Sequence, residues 1–294
     1  MTAVVESPQR PPVGMLQSLE LEITEGCQLR CVHCLADSGP QGTHGTMETA
    51  DWLQVISDAA RLEIPRVQLI GGEPTLHPAW RQMVDTALDL GRTVEVYSNL
   101  YRVHDAWWQV FRRKGVSLAT SYYSDRAEEH DAITTRIGSY HRTRANIEKA
   151  VRLGVPLRAG IVHTHEGQRT AEARDELAAL GVRHVTTDRV RAVGRAAGRM
   201  PPGVSELCGR CGRERAAVLP NGDLVLCVLA RFMPVGNVHT RRLPDLIGSE
   251  PWRAAIGFVP SREAGGCDPN DQSCQPGQPA CLPKFPHTPQ GGAR

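Results

Sequence analysis

The sequence predicts an α/β protein built as a partial (β/α)6 barrel, a TIM-like barrel that stays open, followed by a small cysteine-rich domain. Six strand-like segments alternate with helix-like segments across residues 18–190, the pattern of a parallel α/β sheet. A full eight-unit barrel takes about 250 residues, so this stretch fits six units. Beyond residue 196 the periodicity weakens and cysteines return. We therefore expect a disordered lead-in over 1–14, the barrel over 15–196 and the C-terminal domain over 197–294.

The predicted strands are short apolar or alternating segments, and the predicted helices carry an apolar stripe at helical spacing. Thr49 and Ser139 stand where helix N-caps are expected. The strands are predicted over 18–24, 66–72, 93–99, 116–123, 155–164 and 182–190. The helices are predicted over 49–62, 78–91, 104–115, 139–154 and 169–181. Reactive groups of such barrels collect where the strands end, and short motifs follow the first three strands here.

Composition excludes several classes of protein. The 294 residues carry a formal net charge of +2, which argues against a protein that coats nucleic acid. No apolar run approaches the ~20 residues of a membrane span, and the N-terminus lacks the apolar core of a signal peptide. The nine cysteines cannot all pair, and in a reducing cytoplasm clustered cysteines more often bind metal. We expect a cytoplasmic protein with two metal-bearing regions.

The first cysteine group is "CQLRCVHC", in which Cys27, Cys31 and Cys34 have x3 and x2 spacing. Such a trio can hold three irons of a [4Fe–4S] cluster and leave the fourth iron open. A zinc site completed by His33 or His44 is the alternative, although zinc cysteines usually come as two pairs of ligands.

This stretch and the motifs after it resemble the radical S-adenosylmethionine (SAM) enzymes. "CQLRCVHC" is similar to the CxxxCxxC motif of that family, "GGEPTLHP" (71–78) to its glycine–glutamate motif, and "EVYSN" (95–99) to the strand that follows. The similarity extends over residues 18–196, and the fold of the family is a partial (β/α)6 barrel. It implies that SAM binds the open iron and is cleaved there to a 5′-deoxyadenosyl radical, the catalytic step in which the cysteine-bound cluster takes part.

The resemblance also implies which residues contact SAM. The glycine–glutamate motif is expected to hold the methionine amine of SAM through Gly71, Gly72 and Glu73. Ser98 and Asn99 are expected to face SAM, with a structural role as the alternative, and Ser121 to bind its ribose. One of Arg136, Arg142 and Arg144 is expected to reach the SAM carboxylate or a substrate acid, and the alternative for each is a solvated helix charge.

The second cysteine group begins with Cys208, Cys211 and Cys227, around a hairpin with Asn221-Gly222 at its turn. It resembles the C-terminal extension called SPASM, or its shorter form twitch, which hold auxiliary [4Fe–4S] clusters. The tail departs from the SPASM spacing. We expect one auxiliary cluster on the first three cysteines, closed by a tail cysteine, while two clusters and a zinc ribbon are the alternatives. The tail cysteines are Cys267, Cys274 and Cys281.

The function expected from the resemblance is hydrogen abstraction from a substrate by a radical SAM oxidoreductase or maturase. We favour modification of a ribosomally made peptide in natural-product biosynthesis, by cross-linking, thioether formation or epimerisation. A small-molecule dehydrogenase or decarboxylase of antibiotic biosynthesis is the alternative. An Fe–S electron carrier and a zinc-stabilised binding module are alternatives of other classes. The expected partners are an electron donor such as flavodoxin or ferredoxin and a separate leader-peptide-binding protein, without nucleic acid or membrane.

Overall fold

A computed structural model describes residues 16–259 of the chain, and its sheet has nine strands in the order β6-β5-β4-β3-β2-β1-β7-β8-β9. Strands β1 to β6 are all parallel to their neighbours. They are β1 Ser18–Glu22, β2 Arg66–Ile70, β3 Thr93–Tyr97, β4 Val116–Tyr122, β5 Leu157–His163 and β6 His184–Arg189. The first and sixth strands are not paired with each other in this order, so the barrel is open, which confirms the predicted fold class.

The C-terminal hairpin extends this same sheet, which the sequence did not predict. Strand β7 (Arg215–Val218) pairs in parallel with β1, and Leu19 lies opposite Ala216. Strands β8 (Asp223–Val225) and β9 (Gly236–Asn237) follow in antiparallel pairing. The hairpin itself confirms the turn signal. Because barrel and hairpin share one sheet, the division at residues 196–197 stays a prediction.

Five of the eight helices found within residues 16–259 correspond to the predicted ones. The helices are α1 Thr49–Arg61, α2 Trp80–Asp89, α3 Trp107–Phe111, α4 Ala127–Thr134, α5 Ser139–Arg152, α6 Thr170–Ala179, α7 Leu243–Leu246 and α8 Glu250–Phe258. Helix α4 was not predicted, nor were α7 and α8, since their short lengths leave little periodicity to detect.

Both predicted N-caps are wrong by one residue. Glu48 precedes α1 with an extended backbone, and its N–H donates to the Asp51 carboxylate at 2.9 Å, so Thr49 is already helical. Gly138, in the left-handed conformation, precedes α5. Ser139 is the first helical residue, and its side chain turns inward to donate to Asp131 at 2.8 Å. Local hydrogen bonds with Asp51 and Asp131 decide these helix starts.

Alternate residues of the strands separate an apolar face from a polar one. Leu19, Leu21, Val67 and Leu69 are fully buried in one hydrophobic core with the helix side chains, where each contributes about 2 kcal/mol. The alternating positions carry polar side chains that are also buried, namely Glu20, Glu22, Gln68 and Glu95. The helices therefore cover one face of the sheet, and the interior of the open barrel is lined by charged and polar groups.

Within the described residues, no helix is long and apolar enough to cross a membrane. The predicted lead-in over 1–14 and the three tail cysteines, Cys267, Cys274 and Cys281, lie outside the described residues.

Candidate active site

The three early cysteines lie on residues 26–39, the cluster loop, which follows β1. Its ends are joined by a backbone hydrogen bond of 3.0 Å from Cys27 N to Gly39 O. A turn bond of 3.2 Å from Cys34 N to Cys31 O closes the middle of the loop. The loop therefore returns on itself, and the neighbouring thiols are close enough to add to the burial that raises the pKa of Cys27 and of Cys31.

Nitrogen donors contact two of the three sulfurs of the cluster loop. Leu29 N donates to Cys27 Sγ at 3.4 Å, and Ser38 N donates to Cys34 Sγ at 3.3 Å. The side-chain amide of Asn99, at the end of β3, adds a donor 3.5 Å from Cys27 Sγ. Such N–H groups stabilise sulfur that carries negative charge, as cluster ligands do.

The electrostatics of the loop fit a metal cluster. Burial raises the pKa of the Cys27 thiol well above its usual range, and the Glu73 charge raises it further. Burial also raises the pKa of Cys31, to about 12. Thiolates at Cys27 and Cys31 are therefore costly unless a cationic centre neutralises them. The donors are soft sulfurs, which suit iron–sulfur clusters. Among residues 16–259, no three His, Cys, Asp or Glu side chains are arranged around a single metal ion.

The two histidines considered as zinc ligands have other neighbours. His44 Nδ1 lies 2.9 Å from Thr24 Oγ1, and its ring packs edge-on against His77. The half-buried ring of His33 packs edge-on against Tyr123, with centroids 5.0 Å apart. Neither contact involves a cysteine sulfur.

The glycine–glutamate segment, residues 71–73, is hydrogen-bonded to Thr24 and Gly26 at the start of the cluster loop. Gly72 N donates to Thr24 O at 2.7 Å, and Glu73 N donates to Gly26 O at 2.9 Å. Gly71 has a φ of 131°, and a Cβ there would collide with Thr24 O, as a Cβ on Gly72 would with Gly26 O. Only glycine allows this approach, so the ends of β1 and β2 meet here.

Glu73 is fully buried and accepts four hydrogen bonds. One oxygen accepts from Thr75 N at 3.2 Å and Thr75 Oγ1 at 2.6 Å. The other accepts from Ser98 Oγ at 3.1 Å and Asn99 N at 2.9 Å. Burial raises the pKa of this carboxyl while these hydrogen bonds oppose the rise. Glu73 thus ties the end of β2 to the end of β3, beside Cys27.

Asn99 connects Glu73 to the cluster loop. Its backbone N–H binds Glu73, and its side-chain amide reaches Cys27 Sγ. Its Oδ1 accepts from Gln28 Nε2 at 3.2 Å and from Tyr101 N at 2.8 Å. The structure thus brings Cys27, Glu73, Ser98 and Asn99 together, as their positions after successive strands imply.

The other predicted SAM contacts lie at different places. Ser121 Oγ is 3.3 Å from Tyr97 Oη in the barrel interior. Arg136 is exposed, and its Nε donates to Tyr101 Oη at 3.1 Å. Arg144 Nε donates to Glu176 of α6 at 2.7 Å, so its guanidinium joins α5 to α6. Contact of any of them with SAM stays a prediction.

Tyr101 joins the cysteines to two arginines. Its buried ring packs with Cys27, Leu29 and Cys31. The Arg136 and Arg142 guanidinium carbons lie 5.5 Å and 4.9 Å from the ring centroid, within cation–π range.

Arg195, just after β6, braces the cluster loop. Its guanidinium donates to Cys31 O at 2.6 Å and to Ser38 O at 2.7 Å, and it pairs with Asp37 at 2.8 Å. Its backbone N–H donates to Cys34 O at 2.9 Å. The chain leaving the sixth strand therefore fixes the backbone at two of the three cysteines.

The barrel interior contains a polar group on β2, β3 and β5. Arg158 donates two hydrogen bonds of 2.8 Å to Glu95, and Gln68 also donates to Glu95. Burial acts to raise the pKa of Glu95, but Arg158 outweighs it and the pKa is lowered. Arg158 also lies over the Tyr97 ring at 5.4 Å. These side chains form a rigid, charge-balanced lining below Ser121.

Two inward carboxylates of β1 hold the C-terminal extension. Glu20 accepts from Val228 N at 3.2 Å, and Glu22 receives two hydrogen bonds from Arg231 at 2.9 and 3.1 Å. Val228 directly follows Cys227. The segment that carries a late cysteine is thus anchored to the barrel interior.

The late cysteines of the described part converge. Cys211 Sγ lies 3.7 Å from Cys227 Sγ across the hairpin. A hydrogen bond from Cys211 lowers the pKa of Cys208 to about 6, and the pKa of Cys211 is raised in return. Three sulfurs close together again form a donor set that suits iron–sulfur ligation.

Sequence reasoning missed Tyr101 and Arg195, and it missed the ion pairs and hydrogen bonds between the acids of β1 and the C-terminal extension. The only available signal was in β1, where "SLELE" places two acids at the inward-facing alternate positions. Their partners Arg215 and Arg231 are about 200 residues away in the chain, and no local pattern connects them.

Comparisons with known proteins agree with this geometry. The family model of the radical SAM superfamily matches residues 21–187. The model of an iron–sulfur cluster-binding domain, SPASM, matches residues 208–276. The first match covers more than half of the chain, and the chain therefore belongs to the radical SAM superfamily. Its cofactors are SAM with a [4Fe–4S] cluster, and an auxiliary iron–sulfur cluster in the SPASM region.

Two relatives with known names match part of the chain. The mycofactocin maturase MftC of Mycobacterium tuberculosis is 30% identical over 177 residues, 58% of this chain and 43% of that protein. The PqqA peptide cyclase of a Methylobacterium species is 37% identical over 101 residues, 34% of this chain and 24% of that protein. The chain thus matches less than half the length of these relatives.

A solved structure shows the same fold. SuiB of Streptococcus suis bound to its precursor peptide SuiA superposes with a TM-score of 0.68 at 13% identity, covering 86% of this chain and 68% of that one.

Proposed function

We propose that this protein is a radical SAM maturase that abstracts hydrogen from a ribosomally made peptide. One observation carries the proposal: hydrogen bonds hold the cluster loop, the 71–73 segment and Asn99 together. The sulfur ligands and the glycine–glutamate motif are therefore neighbours. Peptide as the substrate class is supported by the names of the PqqA peptide cyclase and of the SuiB–SuiA complex.

In the proposed mechanism Cys27, Cys31 and Cys34 hold the cluster. The chemistry supplied when the cluster and SAM are bound is one-electron cleavage of a C–S bond of SAM, which yields a 5′-deoxyadenosyl radical that takes a hydrogen atom from the substrate. The protein positions the reactants and excludes water. Glu73 orders the ends of β2 and β3, and Asn99 donates to Cys27 Sγ.

The methionine end of SAM is assigned to residues 71–73, next to the cluster loop. Ser98 and Asn99 border it, and Ser121 in the interior is assigned to the ribose. Exposed Arg136, on Tyr101 beside the cysteines, is the better candidate for the SAM carboxylate than Arg144, whose Nε is bound to Glu176.

The auxiliary cluster is assigned to Cys208, Cys211 and Cys227, with one of the tail cysteines as fourth ligand. Thiolates of this group converge beside β1. The auxiliary site thus faces the same barrel interior as the SAM site, where it can receive an electron from the substrate radical or anchor the substrate.

Partners and location follow from the chemistry. An external carrier such as flavodoxin or ferredoxin supplies the electron that reduces the cluster. A separate leader-peptide-binding protein delivers the peptide. Both are expected in the cytoplasm, where reduced cysteines persist.

The test is anaerobic reconstitution followed by reaction with SAM and dithionite, with 5′-deoxyadenosine measured. Wild-type protein should form it and Cys31→Ala should not, whereas Cys227→Ala should still form it. For the substrate, short peptides encoded beside the gene are coexpressed with wild type and with Cys31→Ala. A peptide mass change that needs Cys31 supports the maturase, and 5′-deoxyadenosine formation with no altered peptide would favour the small-molecule alternative.

A further inference from the structure

We propose that Glu206 is a positioning residue that makes the auxiliary cluster a rigid link between the first and the sixth strand of the barrel. The link runs over residues 206–231, the auxiliary bridge, with Glu206 attached to β6 and Arg231 attached to β1. The inference rests on the proposed function, which places an auxiliary cluster on the three late cysteines of the described part.

Glu206 is bound to the chain at the end of β6. Its Oε2 accepts from Arg189 Nη1 at 2.8 Å and from Ala192 N at 3.0 Å. Its backbone carbonyl accepts from Arg191 Nη1 at 2.8 Å. Three donors therefore fix both the main chain and the side chain of this one residue.

The attachment of Glu206 is charged and largely buried. The side chains of Glu206 and Arg189 are each 20% exposed, and that of Arg191 is 7% exposed. Arg191 also donates to Asp188 at 2.7 Å, so two carboxylates balance two guanidinium groups. Burial acts to raise the pKa of Glu206, but the hydrogen bonds from Ala192 and Arg189 outweigh it and the pKa is lowered. Charged hydrogen bonds are about twice as strong as neutral ones, so the Glu206 carboxylate is a firm anchor.

This anchor holds the chain next to the first late cysteine. Cys208 lies two residues after Glu206, and Leu207 between them is buried in the hydrophobic core. The stretch 207–214 that leads on to β7 contains no helix or strand. A cluster that binds Cys208 would therefore replace an irregular connection with a short covalent one.

The other end of the auxiliary bridge is attached to β1. The two inward carboxylates of β1 accept hydrogen bonds from Val228 and Arg231. Cys227 directly precedes Val228, and its Sγ lies 3.7 Å from that of Cys211. The late cysteines thus join a segment held by β1 to a segment held by β6.

Strands β1 and β6 are the two that the open barrel leaves apart. They stand at opposite ends of the six parallel strands, and β6 is at the edge of the described sheet. Metal ligation between separate segments contributes its binding free energy to folding, so a shared cluster holds these strands at a fixed distance. Loss of the cluster or of Glu206 should free β6, which pairs with β5 alone in that sheet.

The experiment is hydrogen–deuterium exchange of the anaerobic holoprotein, with mass spectrometry of peptides that contain residues 184–189 of β6. Glu206→Gln keeps the shape of the side chain and removes its charge, and Cys208→Ala removes one auxiliary ligand. The matched control is Glu172→Gln on α6. Glu172 also pairs with an arginine, Arg169, at 3.0 Å, but this pair lies within three residues at the start of one helix.

We expect the β6 peptides of Glu206→Gln to exchange at least tenfold faster than in wild type, and those of the control to exchange at the wild-type rate. Cys208→Ala should have the same effect as Glu206→Gln. Combining the two substitutions should add less than twofold, because both remove the same link. A side chain that only stabilises the fold would instead give two effects that multiply.

A wild-type exchange rate in Glu206→Gln, or two effects that multiply in full, would overturn the proposal. If Glu206→Gln loses the auxiliary iron, the milder Arg189→Gln variant decides, since it leaves the bond from Ala192 in place. It should keep its iron and exchange its β6 amides at least threefold faster, and a wild-type rate in it would overturn the link.

Iron content and SAM cleavage separate this inference from the proposed function. Wild-type protein that binds a single [4Fe–4S] cluster would contradict the auxiliary assignment, and the link with it. Formation of 5′-deoxyadenosine with dithionite tests the radical SAM function independently, because Glu206→Gln leaves Cys27, Cys31 and Cys34 in place. Wild-type SAM cleavage together with unchanged β6 exchange in Glu206→Gln would overturn the link alone.

Discussion

Arg231 donates two hydrogen bonds, of 2.9 and 3.1 Å, to the carboxylate of Glu22, and this pair fastens the C-terminal extension to the first strand of the barrel. Glu22 is 1% exposed and Arg231 is 20% exposed. Burial raises the pKa of Glu22, and Arg231 opposes that rise. Arg231 lies four residues after Cys227, so the pair also fixes the path of the chain next to the proposed auxiliary ligand.

Replacing Arg231 by Met should destabilise the protein by roughly 3 kcal/mol, because it leaves the buried Glu22 carboxylate without its partner. The measurement is the free energy of unfolding in urea, with Arg199→Met at an exposed position as control. The double variant Glu22→Leu/Arg231→Met should recover most of the loss. A double variant as unstable as the single one would contradict this account of the pair.

Replacing Arg195 by Gln should release iron faster from the cluster loop. The side chain makes two bonds to loop carbonyls and an ion pair with Asp37, and losing one charged hydrogen bond of about 1.5 kcal/mol corresponds to about tenfold. Iron release to a chelator, followed anaerobically by absorbance, should accelerate at least tenfold. Arg195→Lys should release iron at a rate between those of wild type and Arg195→Gln, and the exposed Arg199→Gln should release iron at the wild-type rate. If Arg195→Gln and wild type release iron at the same rate, the side-chain contacts of Arg195 do not retain the cluster.

Replacing Asn99 by Ala should make the cluster harder to reduce. The variant loses the N–H donor 3.5 Å from Cys27 Sγ, and hydrogen bonds to sulfur stabilise the reduced cluster. A loss of about 1 kcal/mol corresponds to a shift of about 40 mV to more negative potential. An EPR-monitored redox titration measures it. Asn146→Ala, which removes a bond to Leu100 O and touches no sulfur, is the control and should leave the potential unchanged.

Acid should destabilise the fold through His130. Burial lowers the pKa of His130 to about 4, against about 6.5 in an unfolded chain. The unfolded state therefore binds more protons between these values, and stability that is complete above pH 6.5 is lost as pH falls towards 4. The slope is about 1.4 kcal/mol per pH unit for one such group.

His130→Asn should flatten this dependence of stability on pH. At pH 7.5 the variant should be less stable than wild type, although Asn keeps a hydrogen-bond partner for Ser139. Unfolding temperatures between pH 5.5 and 7.5 measure both effects, with the exposed His141→Asn as control. A variant with the same pH dependence as wild type would assign the acid sensitivity to other groups, such as His77, whose pKa burial also lowers to about 4.

Sequence reasoning reached the fold class because each strand and helix of the barrel carries its own periodicity. It placed all six parallel strands and the C-terminal hairpin. It missed α4, α7 and α8. It also placed the N-caps of α1 and α5 one residue late, because capping depends on side chains such as Asp51 and Asp131 that several residue types can replace. It brought Cys27, Glu73 and Asn99 together correctly, since the ends of neighbouring parallel strands meet at one edge.

The sequence by itself determined the ligand types, their spacing and the order of the motifs, since those are properties of short segments. The tertiary structure alone decided that the late hairpin continues the sheet at β1 and that Glu22 meets Arg231 across the barrel interior. It also decided that Arg195 binds the carbonyl of Cys31 and that the end of α4 is hydrogen-bonded to Arg30 and Val32 on either side of that cysteine. These contacts join residues that are far apart in the chain, so their partners are fixed by packing of the whole sheet and not by any local pattern.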